Sequence, residues 1–151
     1  MVRFIFLFMT VTCFTSATFV ADDIAGTWLN QDKDAHIKIF ALNGKYFGQI
    51  VWLKTPIDPE TGKPKVDKHN SDESKRNVPI MNLVIMKNLV FDAGDQDWED
   101  GQIYDPKSGN GYSLTCTLTD KNTMQLRGYM GLSLFGRTDI WTRVIDPAPA
   151  K

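Results

Sequence analysis

Two stretches hold residue types whose spacing could do chemistry. The first is the acidic run Asp92-x-x-Asp95-x-Asp97-x-Glu99-Asp100-Gly101. Asp95, Asp97 and Glu99 stand at the first, third and fifth positions of a calcium loop. Such a loop needs Gly at its sixth position and Glu at its twelfth. Asp100 and Pro106 stand there instead, so the run reads as a solvated acidic turn. The second stretch is Asp67-Lys68-His69-Asn70 with Arg76: a carboxylate, an imidazole, an amide and a guanidinium in one segment. Catalysis there would need a nucleophile or a paired acid that the sequence does not single out. His36 and His69 are the only histidines, and neither has a His or Cys at metal-ligand spacing. His36 lies on a half-exposed strand pattern and reads as a surface residue. There is no His-Glu-x-x-His, Cys-x-x-Cys, Gly-x-Ser-x-Gly, phosphate loop or dinucleotide fingerprint. The residues therefore point to no metal, no cofactor and no catalytic group.

The chain has 151 residues, enough for one domain with a real core. Its first part reads as an address. Arg3 precedes an apolar run from Phe4 to Phe14, and Thr15-Ser16-Ala17 follows, the layout of a secretory leader cut after Ala17. A cut after Ala21 would put Phe19 where a small residue is preferred. The run is short for a membrane span, and none is expected once the leader is removed. Thr12 before Cys13 argues against lipid attachment, which favours Gly or Ala there. Losing Arg3 leaves 16 basic against 18 acidic residues, a net charge of about −2. That balance gives no basic excess for nucleic acid. Cys116 would be the one cysteine left, so an exported protein would have no internal disulfide. It alternates with Tyr112, Leu114 and Leu118 and reads as a small buried hydrophobe. The expected division is a leader (1–17 or 1–21), one domain (22–146) and a tail (147–151), with export to the periplasm or medium.

Almost every segment after the leader reads as strand. The chain is organised around its last pair, Thr123 to Met130 and Arg137 to Val144, joined by a short apolar connection between Gly131 and Gly136. This pair must close on something, and Ile24-Ala25-Gly26-Thr27-Trp28 is the best first strand. Ala35 to Leu42 and Lys45 to Lys54 flank Asn43-Gly44, a strong hairpin signal. Tyr46, Gly48, Ile50 and Trp52 share one face of the second of these, and Gly48 is expected to mark a bend or bulge. Thr55 to Pro79 is a long polar loop, which reads equally as a lid or binding loop and as a solvated, mobile insertion. Ile80 to Val90 fits a short helix or a doubly covered strand, and the β-rich context favours strand. Phe91 to Gly101 reads as an acidic turn region, Gln102 to Tyr104 as a short strand, and Asp105 to Gly109 as a turn. Tyr112, Leu114, Cys116 and Leu118 point inward along a clean alternation. The total is about eight to nine antiparallel strands with no long helix, and full closure hides their edges. The expected fold is all-β: an up-and-down barrel able to hold one small ligand.

Gly26-x-Trp28 resembles the opening motif of lipocalins and related calycins. The resemblance implies that Trp28 closes the barrel floor and that an Arg of the last strand stacks across it. Arg143 matches that position, and Arg137 is the alternative. Further motifs follow in order: Gly48-x-Ile50-Val51-Trp52-Leu53; Asp67 to Asn70; Arg76 with Pro79; Gly101-x-Ile103-Tyr104-Asp105-Pro106; and Arg127-Gly128-Tyr129 through Gly136-Arg137-Thr138 to Trp141-Thr142-Arg143. Together they resemble the exported bacterial family catalogued as domain of unknown function 2147. Ser71 stands where that family usually has Pro, and Asn82 where it usually has Gly. The resemblance implies a lipocalin-like barrel and export, and it brings no assigned reaction.

The function these observations favour is non-catalytic binding of a small hydrophobic or amphipathic molecule. The expected wall residues are Trp28, Tyr46, Ile50, Trp52, Tyr112, Leu114, Leu126 and Trp141, with Asp67, Asn70 and Arg76 on a loop near the mouth. The runner-up is a packed barrel that binds a protein partner by its outer surface. The third is an enzyme using the Asp67–Asn70 and Arg76 region.

Overall fold

The structure, a computed structural model, describes residues 18–131 and 136–145. The expected leader, most of the apolar connection and the tail lie outside them. Eight strands form one closed barrel: β1 (Gly26–Leu29), β2 (Ala35–Leu42), β3 (Lys45–Leu53), β4 (Val84–Asp92), β5 (Asp97–Asp105), β6 (Asn110–Asp120), β7 (Thr123–Tyr129) and β8 (Gly136–Arg143). Each strand pairs antiparallel with the next. β8 returns to β1 through Trp28 opposite Arg143 and Leu29 opposite Thr142, the closure expected from sequence. Among the described residues no helix is long and apolar enough to cross a membrane.

The connections alternate between two ends. One end is a floor. The first strand does not begin at Ile24 as the sequence suggests: Ala21–Ile24 is a 3₁₀ turn folded under the barrel. Three ring donors pin it there. Trp28 Nε1 donates to the Ile24 carbonyl at 2.9 Å, Trp98 Nε1 to the Ala21 carbonyl at 3.0 Å, and Tyr46 Oη to Asp22 at 2.7 Å. Arg143 completes the floor. Its guanidinium carbon lies 4.2 Å from the Trp28 ring centroid. Its nitrogens donate to the carbonyls of Lys121, Ala25 and Asp23 at 2.6, 2.7 and 2.5 Å. Burial lowers the Arg143 pKa, with Asp23 opposing, and the group stays cationic. Gly26 is required because its φ is +131° and a Cβ there would lie 2.5 Å from Arg143 Nη1. Gly26, Trp28 and Arg143 are thus one contact, and Arg137 takes no part in it.

Above the floor the lower barrel is packed. Ile24, Trp28, Met86, Leu89, Trp98, Cys116 and Met124 are wholly buried. Cys116 is the buried hydrophobe its alternation suggested, and burial pushes its thiol pKa up.

Bulges close the barrel and account for the misread segments. In β3 the register shifts between His36 and Ile37, so Ile50 pairs with Ile37 while Trp52 pairs with His36. Val51 is the extra residue, and facing reverses beyond it. Leu53 therefore turns inward, and Trp52 does not share the face of Ile50: it is 40% exposed and packs outside on His36 at 4.4 Å. Gly48 marks a bulge as expected, since a Cβ there would meet Met86 at 2.8 Å. In β4, Asn88 at φ +61° places Met86 and Leu89 on the same side at a spacing of three. That spacing is why Ile80 to Val90 fits a helix as well as a strand. Its first four residues are a turn in which Asn82 takes the left-handed conformation at φ +69°, serving where Gly is usual. The acidic region is mostly strand. β4 runs to Asp92 and β5 starts at Asp97, with Phe91 opposite Trp98 and Asp92 opposite Asp97. Charged residues flank Trp98 and hide the alternation that buries it.

Arg143→Ala removes the ring contact and leaves three backbone carbonyls unpaired, so urea denaturation is expected to lose about 2–4 kcal/mol. Gly26→Ala should lose about 1–3 kcal/mol through its φ. Losses below about 0.5 kcal/mol in both would show that the barrel does not depend on this contact.

Candidate ligand-binding site

Among the described residues the other end of the barrel is open. A cavity of about 980 Å³ extends from it down to the packed floor. The inward positions of each strand change from filling to lining along its length. β6 fills the floor with Leu118 and Cys116 and lines the cavity with Leu114 and Tyr112. β7 fills with Met124 and lines with Leu126 and Gly128. β2 fills with Ile39 and lines with Ile37 and Ala35. Leu114, Leu126 and Trp141 at the bottom are almost closed to water, while Ile103, Tyr104 and Tyr112 higher up are half-buried. The cavity thus widens toward its mouth. Gly128 helps to keep it open: a Cβ there would make only ordinary contacts, 3.7 Å to Tyr112 and 3.9 Å to Ile103.

The cavity gathers five of the expected wall residues: Ile50, Tyr112, Leu114, Leu126 and Trp141. It omits three. Trp28 and Tyr46 are floor residues held by their polar atoms, and Trp52 is outside. The aromatic wall is Trp141 with Tyr104, Tyr112 and Tyr129. Sequence reasoning missed Leu53 and Ile85 as wall residues, and bulges in β3 and β4 are the reason. The turns that form the rim carried no signal of facing one another.

The rim is polar and laced together. Lys107 on the β5–β6 turn reaches across to Asp32 and Asp34 on the β1–β2 turn, 2.8 Å from each. Burial would raise the Asp34 pKa, but the bonds from Lys107 and Asn30 outweigh it and leave the carboxyl below its ordinary value of 3.8. Burial likewise opposes the charge on Lys107, and its two carboxylates outweigh that and raise its pKa. Asp139 accepts from Arg137 at 2.7 Å.

The long loop is fixed against this rim by the residues the sequence suggested for a loop at the mouth. Asp67 is 1% exposed, the one buried charged residue among those described. Its Oδ1 accepts from Tyr104 Oη at 2.8 Å and its Oδ2 from Asn70 Nδ2 at 2.7 Å. Arg76 Nε donates to the Asn70 carbonyl at 2.9 Å, and Arg76 Nη1 pairs with Glu73 at 3.1 Å. Two short bridges, Ile57 with Pro64 and Val66 with Pro79, stiffen the loop. Gly109, at φ +75°, lets the β5–β6 turn pass so close that any Cβ would strike the His69 carbonyl. Asp67, Asn70 and Arg76 of the loop and Tyr104, 37 residues beyond Asp67, are one hydrogen-bonded anchor.

The family described as "Uncharacterized protein conserved in bacteria" (DUF2147) matches residues 26–143. The chain belongs to this family. Its segments as read in the sequence now have places: the floor contact (Gly26, Trp28, Arg143), the β3 bulge, the loop anchor and the cavity-lining ends of β7 and β8. A solved structure described as "Protein HP1028 from the human pathogen Helicobacter pylori belongs to the lipocalin family" is similar, with TM-score 0.68 and 22% identity over 82% of this chain and 84% of that one. This DUF2147 member therefore has a lipocalin-like fold. No curated protein matches the chain.

Burial, and then the carboxylates facing them, push Tyr46 (facing Asp22) and Tyr104 (facing Asp67) up to about 12 from the ordinary 10.0. Raised folded pKa values mean that stability from these tyrosines is complete below pH 10 and lost as pH rises through about 12. The raised Lys107 adds to the alkaline loss, whereas Asp34, lowered from 3.8, contributes stability that is lost as pH falls below that value. Spectrophotometric titration should show a phenolate step near pH 12 that Tyr46→Phe and Tyr104→Phe each reduce. Ionisation of every tyrosine by about pH 10.5 would contradict both bonds.

Proposed function

We propose that this protein is an exported, non-catalytic carrier that holds a small hydrophobic or amphipathic molecule in the barrel cavity. The observation that carries the reading is a cavity of about 980 Å³ with apolar lower walls, sealed below by the Arg143–Trp28 floor and open above. Binding sites for small molecules span roughly 300–1,000 Å³ and are mostly apolar with a few polar groups at fixed points. The mechanism is desolvation. Each Å² of ligand apolar surface buried against Ile37, Ile50, Leu114, Leu126 and Trp141 contributes about 25 cal/mol. The laced rim and anchored loop hold the mouth in shape, which lowers the cost of ordering on binding. Export rests on the leader-like segment.

The alternative, a packed barrel that binds a protein partner by its outer surface, calls for a barrel filled to its ends, and the hollow upper half weighs against it. Against the enzyme alternative, Asp67, Asn70 and Arg76 are engaged in holding the loop, and His69 lines a smaller cleft beside it.

Native mass spectrometry of protein exported to a bacterial periplasm and purified without detergent is expected to show a small apolar adduct, recoverable by organic extraction. The intact mass should begin at Thr18 or Asp22. A clean apo mass that stays clean after incubation with fatty acids, haem and isoprenoids would overturn the carrier reading.

Gly128→Leu places an isobutyl group in the cavity. It is expected to weaken binding of the neutral fluorophore N-phenylnaphthylamine at least tenfold while the barrel still melts cooperatively. Unchanged affinity would place the fluorophore elsewhere.

A further inference from the structure

Beside the mouth lies a second, smaller cleft of about 270 Å³, between the long loop and the β5–β6 turn. Lys65, Ile80, Pro106 and Lys107 line both spaces, so the cleft and the barrel cavity share a wall. Their character differs. The cavity is apolar at depth, whereas the cleft collects Lys65, Lys68, Lys107 and His69 against one carboxylate, Asp58. Asp58 is turned to its own turn, where its Oδ1 accepts from the Glu60 N–H at 2.9 Å.

The charges around the mouth are otherwise matched. Asp32 and Asp34 hold Lys107, Asp139 holds Arg137, and Asp105 accepts from the Lys107 N–H and the Ser108 hydroxyl. Lys65 and Lys68 are the exceptions: neither has an acidic partner among the described residues, and the half-buried one of the two is Lys65. Its backbone is fixed, donating to the Pro56 carbonyl at 2.9 Å and accepting from the Ile80 N–H at 3.0 Å. Lys107 has two of its three donors on carboxylates, which leaves one for another acceptor. An ammonium without a carboxylate partner beside an apolar cavity is half of a charge-assisted pair whose other half can arrive with a ligand.

We propose that the ligand is an anionic amphiphile, with its apolar part in the barrel and its carboxylate or phosphate group on Lys65 in the basic cleft. This rests on the carrier reading and deepens it. The shared wall gives one molecule both environments without crossing the acidic side of the rim. Lys107 supplies a second donor from the β5–β6 side of the cleft, and Lys68 adds positive potential to its lining.

The test uses ligand-free mature protein and four amphiphiles with one chain, each below its micellar concentration: dodecanoate, dodecyl phosphate, dodecanol and dodecylamine. Affinity is read by displacement of N-phenylnaphthylamine. Both anions are expected to bind at least tenfold more tightly than dodecanol, a difference of about 1.4 kcal/mol. The anion-to-alcohol ratio should fall toward one in Lys65→Gln, invert in Lys65→Glu, and shrink in high salt. Lys68→Gln should reduce it by a smaller factor. Equal affinity for anion and alcohol, tighter binding of dodecylamine, or a Lys65→Gln variant that keeps the full ratio would each overturn the anionic assignment and leave the carrier reading standing. Failure of the fluorophore and all four amphiphiles to bind would overturn both.

Discussion

The contact on which the rest of the barrel depends is the Arg143 guanidinium over the Trp28 indole. It joins the last strand to the first where only two residue pairs close the sheet. It also ties the turn at Ala21–Ile24 beneath the barrel by donating to the carbonyls of Asp23 within that turn, Ala25 just after it and Lys121 on the β6–β7 turn. A barrel with an open floor would admit water to its packed half. The cation pays for its partial burial with three hydrogen bonds and an aromatic face. Gly26 follows from this, because the space its side chain would need is already occupied by the guanidinium.

Once the floor is sealed, the barrel divides along its axis. Large side chains fill the lower half; above them the same strands present isoleucine, leucine, glycine and tyrosine around empty space. This division separates stability from binding. The floor and its packed layer supply the core, and the mouth is held open by polar lacing: Lys107 across to Asp32 and Asp34, and the Asp67–Tyr104 bond beneath the long loop. A buried carboxylate is costly unless its oxygens are paired, and both oxygens of Asp67 are. The loop is therefore set by a specific bond to β5, and its many charged side chains stay in water.

Particular elements show how far the sequence could be read. The Asn43-Gly44 hairpin, the alternation of β6 and the closing pair β7–β8 were legible because local chemistry and period two agree there. Trp52, Leu53, Met86, Leu89 and Trp98 were misread or missed for one reason. Each lies beside a bulge or within a charged stretch, and one extra residue reverses which face looks inward. A spacing of three between Met86 and Leu89, or between Ile50 and Leu53, has no meaning to a period-two reading. The half-buried anchor of the loop was visible as separate motifs, but not as a unit.

The sequence by itself left Arg143 and Arg137 both open as the partner of Trp28, and it determined the class of fold, the number of strands to within one, the opening motif Gly26-x-Trp28 and the place of the long loop. These depend on local propensity and on short motifs, which a linear chain states directly. Only the tertiary structure decided that the barrel is hollow above and filled below, that Arg143 and not Arg137 stacks on Trp28, that Tyr46 joins Trp28 in the floor, and that Lys65 stands without an acidic partner among the described residues, between the cavity and a basic cleft. Those facts depend on volume and on distances between turns far apart in sequence. Inward-facing side chains read alike whether they fill a barrel or line it, and the difference appears only when the strands are closed around them.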